Sequence, residues 1–362
     1  MVGSGIAGGV AVTHVGRGAQ PVRAAAARDL PRPHAKPAPR PLPAEIRGVH
    51  VTMHQAADGT ISQFAALTRY GLNAVELDVK DESGHIGFPA ADLPLAREVG
   101  AARPFYRPFH AVETLHAHGI YAIARVVAFE DRILTEARPE LAVQWPDGSV
   151  WHNDAGQAWL NPYDRRVWEY LVAVGRTAAR VGFDEVQFDY VRFPSDGDVS
   201  ALRYPAGRVG PRSRTLAAFL RYAVHRLHPL GVRVSVDVFG LSASTDVGVG
   251  QAPRLLGRYV DAIYPMLYPS HFGRGWYGID DPNAAPGPTV ANALADFRRQ
   301  LRGRRARLVP WLQDFSLGRP YTLADVQEQV TAARQAHASG FLLWNAGGRY
   351  DEQALAPARA TR

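Results

Sequence analysis

The sequence predicts an α/β protein folded as a (β/α)8 barrel, and three observations lead to that fold class. From Ile46 onward, strand-like apolar runs alternate with amphipathic helix-like segments, the pattern of parallel strands linked by helices. Eight such runs occupy about 310 residues, which suits a barrel of typically about 250 residues with insertions. No glycine-rich phosphate loop follows the first run, where the sequence reads MHQAADGT, and this disfavours a doubly wound sheet.

The eight predicted strands are apolar runs bounded by polar or glycine-containing segments. They lie at 47–54, 73–80, 119–128, 185–192, 232–239, 260–268, 307–314 and 340–346. Several of the intervening helical stretches end in glycine, which favours helix C-caps that lead into the next strand, for example Val167–Gly182 and Val326–Gly340. The longest insertion, at about 129–163, follows the third strand.

The chain divides into an N-terminal tail, residues 1–43, and a single catalytic barrel domain, residues 44–362. The tail is rich in arginine and proline, so we predict that it is disordered and extended. It carries six basic residues and one acidic residue, and therefore most of the net charge of +7. The remainder is close to neutral, with no recognised nucleic-acid motif and no basic face, so we expect no nucleic-acid partner.

Composition excludes several classes of protein. The 362 residues include no cysteine, which rules out disulfides, thiolate metal sites and cysteine nucleophiles. No run reaches the eighteen or so apolar residues of a membrane span. The start of the tail is apolar and rich in small residues but lacks a basic leader, so it suits either a weak export or anchor segment or a cytoplasmic extension. We expect a monomer without a cofactor. Its location is expected to be extracellular or in the cell envelope, with the cytoplasm as the alternative.

Strand alternation places polar side chains on the inner face of the predicted barrel. In the fourth strand Val186 and Phe188 lie on one face, while Gln187 and Asp189 lie on the other. The same parity predicts that these polar residues also point inward: His50, Glu76, Asp78, Lys80, Ser235 and Asp237. Because unpaired buried charges are costly, packing alone does not explain this clustering near strand C-terminal ends, where barrel enzymes hold their catalytic groups.

Three carboxyl groups are candidate catalytic residues. Asp189 and Asp237 end adjacent strands, and Asp314 ends the seventh strand, where its parity is ambiguous. Hydrolysis of a glycosidic bond needs two carboxyl groups with different protonation states, and adjacent strand ends can supply them. For Asp189 the structural alternative is an ion pair with Arg125 or Arg192.

Aromatic and polar residues at the same ends are candidate substrate-binding residues. Aromatic rings stack on the flat C–H faces of sugars, although each large ring could equally be core. The candidates are Glu76, Asp78, Lys80, Arg125, Arg192, Tyr264, Tyr268, Trp311, Gln313, Trp344 and Asn345. Lys80 is one of only two lysines, and either supplies a compact positive charge beside carboxylates or lies on a surface turn. His50 and His54 could ligate a metal, but without a clear third ligand we predict no metal site.

Five sequence blocks resemble a known family. They are GVHVTMH, LNAVELDVKDESGHIGF, GIYAIARVVAFED, DEVQFDYVRFPSDG and FLLWNAGGRY, and the resemblance that they carry extends over about residues 46–350. They are similar to the glycoside hydrolase-like domain of bacterial proteins, once known only as a domain of unknown function and related to α-amylase-like barrels. The resemblance implies a TIM barrel with Asp189 in the position of the amylase nucleophile. Asp237 matches the acid/base position, where amylases have glutamate, and Gln187 stands where they have arginine.

The leading hypothesis is therefore a retaining glycosidase that acts on a polysaccharide, for instance of the cell envelope. The nucleophile would be Asp189 and the acid/base Asp237. A second hypothesis is a non-catalytic barrel that binds envelope glycans through its aromatic rim. A third is a metal-dependent hydrolase or deacetylase that uses His50 and His54.

Overall fold

The computed structural model describes residues 40–57, 60–207 and 209–358, and its strands form one closed parallel barrel. The strands are β1 Ile46–Val51, β2 Ala74–Lys80, β3 Tyr121–Val127, β4 Glu185–Asp189, β5 Arg233–Phe239, β6 Ala262–Leu267, β7 Arg307–Leu308, β8 Trp311–Gln313 and β9 Gly340–Trp344. Neighbours pair in the order β5-β4-β3-β2-β1-β9-β8-β6, and a β5–β6 pairing closes the ring. The predicted (β/α)8 fold class is confirmed.

The seventh barrel strand is interrupted. Both β7 and β8 pair with β6, the first through Leu308 opposite Ile263 and the second through Trp311 opposite Met266. Pro310 lies in the gap between them and has no N–H to donate to a ladder. The nine strand segments therefore form eight barrel strands, as the sequence predicts.

Helices follow the strands and cover the outside of the barrel. They are α1 Thr60–Ala65, α2 Pro94–Glu98, α3 Pro108–Ala117, α4 Arg132–Ala137, α5 Arg165–Val181, α6 Arg212–Leu227, α7 Pro253–Leu256, α8 Pro286–Gln300 and α9 Leu323–Gln335. In the part of the chain that the structure describes, no helix is long and apolar enough to cross a membrane. Residues 1–39, most of the predicted tail, lie outside the described residues, so the predicted domain boundaries remain predictions.

Strand alternation divides the core into two layers. Val75, Leu77, Val186 and Phe188 belong to the outer layer, between strands and helices. A smaller layer inside the barrel contains Ile46, Tyr121, Tyr264, Trp311 and Leu342. The predicted faces of strands two, four and five are therefore correct, apart from Lys80.

The segment between β3 and α5 folds against the barrel through helix α4 and short antiparallel bridges. Glu130 pairs with Trp159, and Ala142 pairs with Leu160. Trp151 and Trp159 are fully buried, with ring centroids 5.9 Å apart. These two tryptophans are therefore core of the insertion.

Gly340 is required where α9 turns into β9. Its φ is +128°, and a Cβ there would lie 2.1 Å from the carbonyl oxygen of Ile46. We expect Gly340→Ala to lower the free energy of unfolding by roughly 2 kcal/mol or more, since it adds a backbone clash to an unfavourable φ. Gly148→Ala is the control, because its φ is +91° with no atom within 4 Å. Urea denaturation of both variants measures the difference, and equal losses would contradict the role of the clash.

Candidate active site

A cleft of about 200 Å³ opens at the C-terminal ends of the barrel strands. This is the end at which barrel enzymes carry their active sites. Seven of the residues predicted from sequence line it: Arg125, Asp189, Arg192, Asp237, Tyr268, Trp311 and Trp344. Both leading carboxylates and three of the four predicted aromatic residues therefore line the same cleft.

Arg125 on β3 is the electrostatic centre of the cleft. Its Nη1 donates to Asp78 Oδ1 at 2.7 Å, and its Nε and Nη2 donate to Asp189 Oδ2 at 3.0 and 2.7 Å. Nη2 also forms a short bond to Glu82. Burial opposes the positive charge, but the surrounding carboxylates outweigh it and hold the pKa of Arg125 above its usual value. Arg125 therefore fixes the position of the Asp189 side chain by a charge-assisted contact, the ion pair that the sequence offered as a structural alternative.

Asp189 ends β4 at an unusual turn of the backbone. Its Oδ1 accepts a hydrogen bond from the N–H of Tyr190 at 2.6 Å. Tyr190 has a φ of +51°, a conformation that non-glycine residues rarely adopt. Such residues cluster at functional sites, where the surrounding structure holds them in place. Here the turn ends the strand and directs the Asp189 side chain into the cleft.

Asp237 on β5 occupies the opposite electrostatic environment. Its Oδ1 accepts bonds from Gln187 Nε2 at 2.5 Å and Trp311 Nε1 at 2.7 Å, whereas its buried Oδ2 has no hydrogen-bond partner. Burial, and then the negative charges of Asp189 and Glu76, raise the pKa of Asp237 well above its usual value. The site thus pairs Asp189 with a guanidinium group, whereas the surroundings of Asp237 favour its neutral form.

The backbone register brings these two carboxyl groups side by side. Phe188 on β4 is paired with Val236 on β5. Asp189 and Asp237 are each the next residue along adjacent parallel strands, and such strands lie about 4.8 Å apart. Gln251 ties the two strand ends together, because its side chain bonds to the backbone of Phe239 at 2.8 Å and of Val191 at 3.3 Å.

Below Arg125 lies a group of buried, interacting polar residues. His50 Nδ1 forms a short hydrogen bond to Glu76, and His50 Nε2 lies 3.7 Å from Asp78 Oδ2. Burial lowers the pKa of His50 to about 4, raises that of Asp78 to about 6 and raises that of Glu76 well above its usual value. The His50 ring packs against Trp344 with centroids 4.5 Å apart. Glu76 and Asp78 therefore support the wall of the cleft from beneath.

Arg192 is buried against aromatic rings at the side of the cleft. Its guanidinium carbon lies 4.8 Å from the Trp159 ring centroid and 5.1 Å from those of Tyr190 and Phe239. The nearest carboxylate oxygen, on Asp196, is 3.5 Å away. Cation–π contacts therefore hold this side chain more than ion pairing does.

Sequence reasoning missed several residues that line the cleft: Glu82, Tyr190, Phe239, Gln251 and Met266. Burial raises the pKa of Glu82, but the charge of Arg125 outweighs this and lowers it overall. Its signal in the sequence is the acidic run DVKDE at the end of the second strand. Gln187 was predicted to share the inner face with Asp189 but was not chosen as a site residue, and the structure shows that its amide donates to Asp237.

Lys80 lies outside the cleft, which corrects its placement among the inner-face residues. A register shift between Asp78 and Lys80 puts Lys80 opposite Val126, on the helix-facing side of the sheet. The side chain is fully buried, with Nζ 3.0 Å from Asp131 Oδ2 and bonded to the carbonyl oxygens of Val127 and Glu130. Lys80 does lie beside a carboxylate, as one of its two predicted roles required. That carboxylate belongs to Asp131, which caps the start of α4 and does not line the cleft.

We expect Lys80→Met to lower the free energy of unfolding by about 3–5 kcal/mol, because it leaves the buried Asp131 without its partner. As a control, Arg132→Met removes an exposed contact to Glu136 and should cost less than about 1 kcal/mol. Urea denaturation of both variants provides the measurement. A loss at Lys80 no larger than that at Arg132 would show that the buried pair does not stabilise the fold.

Four other predicted site residues do not line the cleft. Tyr264 is fully buried lower in the barrel and faces a cavity at the opposite end. Gln313 bonds to the backbone of Ser270 and Phe315, and so ties two rim loops together. Asp314 accepts from the Asp351 N–H at 2.8 Å, and its carbonyl accepts from the Asn345 side chain. Burial raises the pKa of Asp314 to about 7, but the side chain secures the rim.

The two histidines of the metal hypothesis do not share a site. His50 is buried inside the barrel, whereas His54 is exposed and packs on Phe105, with centroids 4.5 Å apart. Across the described ranges, no group of three or more potential ligands is placed to hold a metal ion. The hypothesis that joins both histidines has no geometric support.

Comparison with known families decides the class of the protein. Residues 48–350 match a family described as a putative glycosyl hydrolase domain. The chain belongs to this family. The match contains all five blocks from which the resemblance was drawn, and it confirms the predicted enzyme class and glycosidase-type function. No curated protein matches the chain.

Solved structures of glycosidases are similar to the chain in fold. The PgaB (BpsB) glycoside hydrolase domain from Bordetella bronchiseptica is 16% identical, covers 86% of this chain and 98% of its own, and has a TM-score of 0.61. The C-terminal domain of a putative chitinase from Desulfitobacterium hafniense is 12% identical, with 86% and 97% coverage and a TM-score of 0.55. The β-amylase catalytic domain from Paenibacillus polymyxa is 10% identical, with 87% and 95% coverage and a TM-score of 0.53. These similarities confirm the barrel fold.

Proposed function

We propose that the protein is a retaining glycosidase with Asp189 as nucleophile and Asp237 as general acid/base. The observation that carries the proposal is the contrast between the two groups. Two donors of Arg125 contact Asp189 Oδ2, whereas Asp237 has no cationic partner among the described residues, and burial and neighbouring negative charges raise its pKa. Two carboxyl groups with separated protonation preferences are what this chemistry requires.

In the first step an Asp189 carboxylate oxygen attacks the anomeric carbon of the sugar. The bond to the leaving oxygen breaks as Asp237 donates its proton to that oxygen. In the second step Asp237, now a carboxylate, removes a proton from water, and the water oxygen attacks the same carbon. Asp189 leaves as a carboxylate and Asp237 is protonated again, so both groups return to their starting forms.

Retention is favoured by the spacing of the two strands. Retaining enzymes hold their carboxyl groups about 5–5.5 Å apart, and inverting enzymes about 6.5–9.5 Å apart. Asp189 and Asp237 extend the Phe188–Val236 pair by one residue on strands about 4.8 Å apart. This placement on neighbouring strands supports the shorter separation, and therefore retention.

The walls of the cleft suit a carbohydrate. Trp311 and Trp344 pack edge to face with centroids 5.7 Å apart, and Tyr268 lines the same cleft. Beyond Tyr268, the half-buried Phe315 continues the aromatic surface toward the rim at a centroid distance of 5.5 Å. An aromatic surface that extends from the catalytic cleft toward the rim can contact several sugars in a row. This supports a polysaccharide as the substrate.

The test is a hydrolysis screen of the purified protein against chitin oligosaccharides, malto-oligosaccharides and purified peptidoglycan, with release of reducing ends as the readout. We expect at least one substrate to be cleaved by the wild type and not by Asp189→Asn. Equal cleavage by both proteins would overturn the assignment of Asp189.

The alternative, a non-catalytic glycan-binding barrel, is favoured by one observation. Both oxygens of Asp189 already accept hydrogen bonds, from Tyr190 and from Arg125. That function predicts glycan binding without cleavage, unchanged in Asp189→Asn and weakened in Trp344→Ala. Affinity measurements on the same glycans separate it from hydrolysis.

A further inference from the structure

A second cavity lies at the opposite end of the barrel from the cleft. It has a volume of about 570 Å³, within the range of ligand pockets. Its wall includes the first residues of five strands, which places it at the N-terminal face: Ile46, Glu185, Arg233, Ala262 and Arg307. No residue lines both this cavity and the catalytic cleft.

Arginine side chains converge on this cavity from three consecutive connections that lead into β5, β6 and β7. They are Arg233, Arg258, Arg304, Arg305 and Arg307. Within the described residues, none of the last four is paired with a carboxylate, and the side chain of Arg304 bonds only to backbone carbonyl oxygens. The sequence did not show this basic surface, because its members are separated by up to 74 positions.

Within the described residues, the two acidic residues of the cavity form no ion pair with Arg258, Arg304, Arg305 or Arg307. Asp261 Oδ2 is occupied, since it accepts from the Val234 N–H and bonds to His228, both at 2.8 Å. Glu185 is 1% exposed, and its Oε2 accepts from the Tyr121 hydroxyl at 3.0 Å, whereas its Oε1 has no partner. Burial raises the pKa of Glu185, which favours a neutral carboxyl group there.

Clustered guanidinium groups repel one another, and a bound anion relieves that repulsion. Arginine presents a planar fork of donors that matches the oxygens of phosphate in pairs. Single inorganic phosphate would fill only a small part of a cavity of this size, while three separate loops supply the donors. The arrangement therefore suits an anion with several phosphate groups.

We propose that the N-terminal face of the barrel carries a binding site for a polyphosphate or a phosphate-bearing polyanion, held by Arg258, Arg304, Arg305 and Arg307. The site is separate from the proposed catalytic cleft. It would allow the protein to associate with a phosphate-rich ligand while the cleft at the other end remains open to its own substrate.

The experiment is calorimetric titration of the full chain with inorganic tripolyphosphate at low salt. The double variant Arg305→Ala/Arg307→Ala should bind at least about tenfold more weakly than the wild type. The control Arg302→Ala/Arg349→Ala removes the same charge from exposed positions outside the cavity, and should change the affinity less than about twofold. Circular dichroism checks that both variants are folded.

Absence of tripolyphosphate binding by the wild type would overturn the proposal, and so would equal weakening in the two double variants, which would indicate nonspecific charge attraction. Citrate is the second ligand, because it is a polyanion built from carboxylates. Weaker binding of citrate supports the phosphate assignment, and equal or tighter binding would overturn it. Hydrolysis at the cleft should be the same in both double variants, so this test does not depend on the proposed glycosidase activity.

Discussion

Asp189→Asn is expected to reduce kcat/KM on any cleaved glycan by roughly 10³-fold or more, because the amide cannot act as the attacking carboxylate. The fold should survive, since asparagine keeps the acceptor for the Tyr190 N–H, and Asp78 and Glu82 still surround Arg125. Initial rates with wild type and variant on the same substrate measure the effect, and urea denaturation checks stability.

Asp196→Asn is the matched control for this substitution. Asp196 lies on the turn that follows β4, and its side chain contacts Arg192 at 3.5 Å without lining the cleft. We expect a change in kcat/KM of less than about threefold. If Asp196→Asn and Asp189→Asn lose activity to the same degree, Asp189 has no special chemical role.

Asp237→Asn is expected to have an effect that depends on the leaving group. On a natural glycan, whose leaving oxygen must be protonated, the loss should be on the order of 10²–10⁴-fold. On an aryl glycoside with a dinitrophenolate leaving group, glycosylation needs no proton donor and the loss should be much smaller. Rates on the two kinds of substrate, measured with one enzyme preparation, give this ratio.

The pH profile provides an independent check on Asp237. The acid must be protonated to act, and its pKa is raised, so the wild type loses activity as the pH rises through that pKa. In Asp237→Asn, cleavage of the activated aryl glycoside should lack this alkaline decline. Equal losses on both substrates, with the alkaline decline retained, would assign the acid role to another residue.

The fold and the central carboxylates could be predicted because strand parity is a local property. Val186 and Phe188 alternate with Gln187 and Asp189, and burial of the apolar pair forces the polar pair into the barrel. Residues that end parallel strands then meet at one edge, as Asp189 and Asp237 do. Trp311 was predicted at the same end of the barrel as an aromatic residue, and it bonds to Asp237.

Predictions failed where the alternation of inward and outward side chains was interrupted, or where a residue lay at a different depth in the barrel. A single bulge turned Lys80 to the helix-facing side, and no sequence signal marks that shift. Tyr264 has the predicted parity but lies too low in the barrel to reach the cleft. The ion pair of Arg125 with Asp189 was among the alternatives drawn from the sequence, but its contacts with Asp78 and Glu82 were not predicted, because those partners come from β2 and from the segment that follows it. Such contacts depend on how neighbouring strands are shifted relative to one another. The inward or outward alternation along one strand does not define that shift.

The most direct test of the proposed mechanism is a search for the covalent glycosyl-enzyme. The protein is incubated with a 2-fluoro glycosyl fluoride of the sugar identified by the hydrolysis screen, and its peptides are analysed by mass spectrometry. Our account predicts one sugar attached to Asp189 in the wild type and no adduct in Asp189→Asn. A sugar on another residue, or hydrolysis with inverted product and no adduct, would contradict it.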